Sequence, residues 1–191
     1  MTAGRFALAL ALALAFALPA AAADAEAGKR KAEACIACHG ADGNSVAPEF
    51  PSLAGQPPLY TLYQLLNFRD GRRKNDVMIP FVAKLSDDDM RDIAAFFAAQ
   101  APRPAKGADA AVADAGKAVE VRNHCGSCHM PDFTGQKHIA RLAGQHYDYL
   151  VKSLKGFRGN TRADLDGMMS EASQPLSDKD IADVAAWLSR L

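Results

Sequence analysis

Residues 33–43 read EACIACHGADG, and residues 123–133 read NHCGSCHMPDF. All four cysteines of the chain lie in these stretches, each pair spaced C-x-x-C with a histidine directly behind it. In an exported chain, four cysteines suggest two disulfides, and C-x-x-C suggests a redox-active dithiol. Neither reading uses the histidines, and the βαβ pattern that accompanies the dithiol is missing. Zinc held by two cysteines and one histidine lacks a fourth ligand in either stretch. Covalent c-type haem uses every residue: each thiol adds to one vinyl group of the porphyrin, and the adjacent histidine reaches the iron. On this reading Cys35, Cys38 and His39 hold one haem, and Cys125, Cys128 and His129 hold a second.

The two stretches belong to a longer repeat. LAGQ at 53–56 returns at 142–145, and Tyr60, Leu65, Phe68 and Arg69 return 89 residues later as Tyr149, Leu154, Phe157 and Arg158. LSDDD at 85–89 answers LSDKD at 176–180, and DIAAF at 92–96 answers DVAAW at 183–187. A period near 90 residues is too long for a solenoid and fits two complete small domains, over 24–100 and 115–191. The segment 101–114 between them is rich in proline, glycine and alanine and reads as a linker.

Each copy reads as helical. Ser86 caps a helix whose third residue is Asp89, and Met90, Ile93 and Phe97 then share one face. Ser177, Asp180, Ile181, Val184 and Leu188 repeat the arrangement. Middle helices are predicted over 59–69 and 147–158, and first helices over 25–35 and 113–125. No stretch alternates as a strand would. Units of about 75 residues bury a limited core. The segment before each last helix carries Gly, Asn and Asp rather than large apolar residues. Something besides side chains is therefore expected to fill the interior.

A haem iron has a sixth position, and methionine there raises the potential and closes the site. Met78 stands seven residues before Leu85, and Met169 seven before Leu176, so these two are the expected axial ligands. Met168 is the neighbour able to displace Met169. His124, His138 and His146 occur in the second copy alone and read as surface or packing residues, His124 as facing away from the haem. His146 is the competitor to check, because a second histidine would lower that potential.

Arg5, the apolar run FALALALALAFAL over 6–18, Pro19 and the alanines up to Ala23 form a signal peptide, residues 1–23. Thirteen helical residues span about 20 Å, short of a hydrocarbon core of about 30 Å. The mature chain is expected to be periplasmic and without a stable membrane anchor. The full chain's charges balance, 22 basic against 22 acidic residues, and loss of Arg5 with residues 1–23 leaves the mature chain near neutral; it lacks the basic stripe of a nucleic-acid binder.

The motifs CIACHGADGNS, CGSCHMPDFTGQ, the two LAGQ, the two methionines and the two LSD-x-D helices resemble the dihaem class I cytochromes of the cytochrome c4 family. The resemblance covers 24–191. It implies an all-α fold of two tandem class I cytochrome c domains, packed face to face about a pseudo-twofold axis, with haem propionates near the interface. It also implies periplasmic electron carriers, some serving membrane-bound haem–copper terminal oxidases. In such domains a proline carbonyl accepts the N–H of the ligand histidine. Pro51 fits, but its counterpart is Ala140, so inequivalent haems are expected. Leu53 and Leu142 are expected against the haem face. Tyr60, Tyr149, Arg69 and Arg158 read either as propionate contacts or as ordinary helix residues. GRRK at 71–74 reads as a dock for an acidic partner or as a solvated loop.

With both irons closed and no acid–base or nucleophilic constellation, the reading is a soluble electron carrier rather than an enzyme. Two alternatives compete: a cytochrome subunit of a sulfide-type flavoprotein dehydrogenase, and a dihaem enzyme with one open iron. The second lacks a spare cysteine for thiosulfate chemistry.

Overall fold

Side-chain caps set where the main helices begin. In a computed structural model describing residues 22–104, 113–162 and 164–191, Asp24 accepts the Glu26 and Ala27 N–H groups at 2.9 and 3.1 Å and starts α1 (Ala25–Lys31). The predicted signal peptide, apart from Ala22 and Ala23, and residues 105–112 of the predicted linker lie outside the described residues. A 3-10 turn over Ala32–Ala34 leads to α2 (Ile36–His39), which ends at Gly40 with φ +84°. Then come α3 (Pro58–Arg69), α4 (Ile79–Val82) and α5 (Asp87–Ala98). The second copy repeats the order with α6 (Ala113–Asn123), α7 (Gly126–His129), α8 (Tyr147–Arg158), α9 (Met168–Ser173) and α10 (Asp178–Leu188). Among the described residues the only β feature is one isolated bridge, Gln136 to Ile139.

Both last helices carry the predicted capping box: Ser86 and Asp89 bond reciprocally, as do Ser177 and Asp180. Each box satisfies amide groups that would otherwise be orphaned at a helix start. Ser86→Ala and Ser177→Ala are each expected to cost about 1 kcal/mol, read by denaturant unfolding of the haem-loaded protein. A cost near zero would mean that water replaces the cap.

The first and last helices of each domain cross at a glycine. A Cβ on Gly28 of α1 would lie 1.9 Å from the Asp92 carbonyl oxygen of α5, and one on Gly116 of α6 would lie 2.2 Å from that of Asp183 in α10. Ion pairs tie the same helices: Lys31 Nζ meets Asp89 at 2.8 Å and Asp92 at 2.6 Å, and Arg122 meets Asp180 at 2.6 Å. The apolar face read from sequence is buried: Met90, Ile93 and Phe97 pack with Leu65, Phe68 and Val82. Ile181, Val184 and Leu188 pack likewise with Val119, Phe133, Leu150 and Leu176.

The segments expected to be polar loops contain α4 and α9. Pro80 suits the first turn of α4, and Gly167, at φ +78°, starts α9. Their shortness and lack of an apolar period hide them from a periodicity reading.

The domains meet through reciprocal bonds that explain the LAGQ repeat. Gln56 Nε2 donates to the Arg141 carbonyl at 2.9 Å and its Oε1 accepts the Arg141 N–H at 3.0 Å. Gln145, its counterpart, donates to the Ser52 carbonyl and accepts the Ser52 N–H, both at 2.9 Å. Ser52 and Arg141 are themselves counterparts, so the contact is pseudo-twofold. Both glutamines are buried, 4% and 5% exposed, and full pairing offsets the cost of burying their amides.

Candidate functional site

α2 and α7 are single turns that present Cys, Cys and His from one short segment. His39 and His129 are buried, 5% and 6% exposed. His39 Nδ1 lies 2.8 Å from the Pro51 carbonyl, and His129 Nδ1 lies 2.8 Å from that of Ala140. A carbonyl only accepts, so Nδ1 donates and Nε2 keeps its lone pair. Burial pushes both imidazoles below their ordinary pKa, with the carbonyl bond acting the other way. Each is therefore a neutral, oriented donor to a metal, its second nitrogen fixed by the backbone. Loss of proline at Ala140 has not lengthened this bond.

One continuous cavity of about 1250 Å³ runs through both domains. Its wall includes Cys35, Cys38, His39 and Met78 from the first domain and Cys125, Cys128, His129 and Met169 from the second. Leu53 and Leu142 lie on it too. Single-ligand pockets run about 300–1,000 Å³, so this space suits more than one bulky group. The cysteines are partly buried, unpaired thiols. Burial, aided by the neighbouring Cys38 or Glu120, raises the thiol pKa of Cys35 and Cys125.

Polar side chains just upstream hold the backbone of both methionines. Asn75 Oδ1 accepts the Met78 N–H at 3.1 Å, and the Asp164 carboxylate accepts that of Met169. Met168 also lines the cavity but is 51% exposed.

The histidines of the second copy part ways. His146 is buried and its Nε2 donates to the Ser45 carbonyl of the first domain at 2.9 Å, off the cavity wall. It caps no iron in this arrangement; it ties the domains at a place where the first copy has Pro57. His124, expected to face away, is exposed and lies on the cavity wall. His138 lies on that wall as well, 3.4 Å from Asp166.

Of the two readings of Arg69 and Arg158, the structure favours ordinary helix residues over propionate contacts. Arg69 reaches the Leu85 carbonyl and Asp87, and Arg158 reaches the Leu176 carbonyl and Asp178. These side chains lock the middle helix to the start of the last one and do not line the cavity. Arg73, read as part of a surface cluster, instead turns inward to Gln64 Oε1 at 2.6 Å and to Tyr149 Oη at 3.1 Å in the other domain. Its counterpart Arg162 donates to Tyr60 Oη at 3.2 Å. Burial alone would raise the Tyr149 pKa, but Arg162 and Arg73 outweigh it and bring it down to about 7. Arg73 and Arg162 thus place two guanidinium groups on the interface side of the cavity.

The family model described as Cytochrome c matches residues 25–100 and 113–191. That defines the class: two haem-binding cytochrome c units in one chain. The sequence is 41% identical over 175 residues to cytochrome c4 of Pseudomonas aeruginosa, covering 86% of this chain and 87% of that one. It is 35% identical to a thiosulfate dehydrogenase electron acceptor of Stutzerimonas stutzeri, covering 84% and 80%. The crystal structure of reduced cytochrome c4 from Pseudomonas stutzeri superposes with a TM-score of 0.82 at 37% identity, covering 89% of this chain and all of the other. The chain belongs to the cytochrome c4 family, dihaem electron-transfer proteins that carry two covalently bound haem c groups.

Proposed function

We propose that the protein is a periplasmic carrier that shuttles single electrons between redox proteins, with a signal peptide at 1–23, haem domains at 24–100 and 115–191, and a linker at 101–114. Cys35 and Cys38 anchor one haem, and Cys125 and Cys128 the other. His39 with Met78, and His129 with Met169, are the axial pairs. The observation that carries this reading is that all eight side chains line one cavity, each histidine oriented by a carbonyl at 2.8 Å. Haem c supplies a one-electron iron couple at each site. The chain's own part is to keep Nε2 of each histidine unprotonated, to offer a methionine to each iron, and to exclude water with the apolar wall. The Gln56 and Gln145 bonds hold the two sites in one body.

No helix among the described residues is long and apolar enough to cross a membrane, which suits a carrier that moves between partners. The relative whose name gives thiosulfate dehydrogenase as its donor favours a sulfur-oxidising dehydrogenase as one partner class. A terminal oxidase suits the other side. Such contacts are small and short-lived.

Acid–acetone extraction should leave both haems on the polypeptide, and carbon monoxide should leave the spectrum of the reduced protein unchanged. Haem lost to the solvent would refute the thioether anchors. A rapidly formed carbonyl complex would refute two closed irons and move the reading to an enzyme with one open iron.

A further inference from the structure

Arg73 and Arg162 stand 89 residues apart at equivalent places, as do Tyr60 with Tyr149 and Phe68 with Phe157. Each guanidinium stacks on the phenylalanine of its own domain, at 4.4 Å from Phe68 and 4.5 Å from Phe157. Each then donates to the tyrosine of the other domain. All four polar residues line the cavity shared by the two C-x-x-C-H turns. The ion pairs of the described residues give neither arginine a carboxylate.

That is costly. A guanidinium removed from water without a full counter-charge is destabilised, and the hydroxyls of Tyr60 and Tyr149 accept from the two arginines without supplying a carboxylate's two-oxygen fork. Arg162 is 9% exposed, and its Nε is buried with no partner. Arg73 is better satisfied because Gln64 accepts from it; the counterpart of Gln64 is Ser153. Guanidinium forks suit carboxylates, which take two parallel N–H bonds. The haem that fills this cavity brings two carboxylates per ring.

We propose that Arg73, Arg162, Tyr60 and Tyr149 form one carboxylate clasp shared by both haems, with Arg162 its stronger member. Because each arginine is anchored in one domain and bonded to the other, its charge acts on both redox centres. A cation near an iron disfavours the oxidised, more positive state, so the clasp raises both potentials together. The arginines are positioning residues, and the inference rests on the dihaem reading above.

The test is spectroelectrochemical titration of the haem-loaded protein and of Arg162→Gln, Arg162→Lys and Tyr60→Phe. In Arg162→Gln both midpoints should fall. At a fixed applied potential the oxidised-to-reduced ratio of each haem should rise roughly tenfold, from loss of a unit charge at partly screened range. Arg162→Lys should recover most of that shift, since charge is kept and only the fork is lost. Tyr60→Phe, a milder change, should lower both midpoints by less. A shift confined to one haem would overturn the sharing, and unchanged midpoints in Arg162→Gln would overturn the clasp. If Arg162→Gln fails to load haem, Tyr60→Phe decides: a fall in both midpoints supports the clasp, and unchanged midpoints overturn it. Failure of the dihaem reading looks different: the unsubstituted protein would then show fewer than two covalent haems.

Discussion

Alanine at Met78 or at Met169 should each remove about half of the methionine-to-iron charge-transfer band of the oxidised protein and lower the potential of one haem. The expectation rests on the proposed axial pairs. Each methionine is partly buried on the cavity wall, and each has its backbone N–H held by an upstream polar side chain, Asn75 or Asp164. A thioether is a weak ligand on a flexible stem, so anchoring its backbone narrows the positions its sulfur samples. Without that sulfur the iron is open, and carbon monoxide should bind about half of the haem in each single variant. Met168→Ala is the control, because Met168 is 51% exposed, and the band should survive it. A full band in Met169→Ala that vanishes on adding Met168→Ala would hand the ligand role to Met168. No loss in either Met78→Ala or Met169→Ala would overturn both assignments.

The all-α, duplicated fold was legible because its determinants are local and occur twice. Ser86 with Asp89, and Ser177 with Asp180, announce helix starts within four residues, and the faces led by Met90 and Ile181 follow at helical spacing. The cavity was legible from the two C-x-x-C-H motifs; a want of large apolar residues before each last helix does not hold in the first copy, where residues 77–82 read VMIPFV and Val82 joins the core. Contacts across the interface were not legible. Gln56 reaches Arg141, Gln145 reaches Ser52, and Arg162 reaches Tyr60 over separations of 85 to 102 residues. No period or short motif encodes such pairings. A signal existed nonetheless, since Gln56, Tyr60 and Arg73 recur 89 residues later as Gln145, Tyr149 and Arg162, although Ser52 answers to Arg141. A shared offset by itself indicates duplication and not reciprocity. The arginines show why: Arg69 and Arg158 recur in an obvious helical context, whereas Arg73 hides in GRRK and Arg162 in TRAD. Burial, invisible in sequence, separates the helix-locking pair from the cavity pair.

Reciprocity also bears on how the two halves communicate. Ser52 follows Pro51, whose carbonyl holds His39, and Arg141 follows Ala140, whose carbonyl holds His129. The residue next to each histidine's acceptor is therefore bonded to a glutamine of the other domain. A single peptide unit therefore separates each interface bond from the carbonyl that orients an imidazole. The asymmetric elements, the Gln64 bond to Arg73 and the His146 bond to Ser45, are where inequivalence between the haems would enter. The histidine–carbonyl distance does not distinguish them.

The second large effect is on stability. Gly28→Ala and Gly116→Ala should each destabilise their own domain by about 3 kcal/mol, the upper end of ordinary overpacking. Two opposing terms are in play. Alanine favours a helix over glycine by about 1 kcal/mol, which alone would stabilise α1 and α6. Against this, the new methyl at Gly28 would lie 1.9 and 2.5 Å from the Asp92 carbonyl oxygen and carbon, and at Gly116 it would lie 2.2 Å from the Asp183 oxygen and 2.4 Å from Trp187 Cβ. These obstacles are backbone atoms and a Cβ, which no rotamer change moves aside. The crossing must widen, loosening Lys31 from Asp89 and Asp92 in one domain and Arg122 from Asp180 in the other. Because α1 leads directly into Cys35 and α6 into Cys125, widening should also perturb the haem spectrum of the affected domain. Gly71 is the contrast, with nothing within 4 Å of its added Cβ but a φ of +73°, so Gly71→Ala should cost only the left-handed strain of about 1 kcal/mol. Denaturant unfolding followed at the haem bands reads all three variants. Equal, small losses would show that the helix crossings yield, and would remove the glycine contact from the forces that set them.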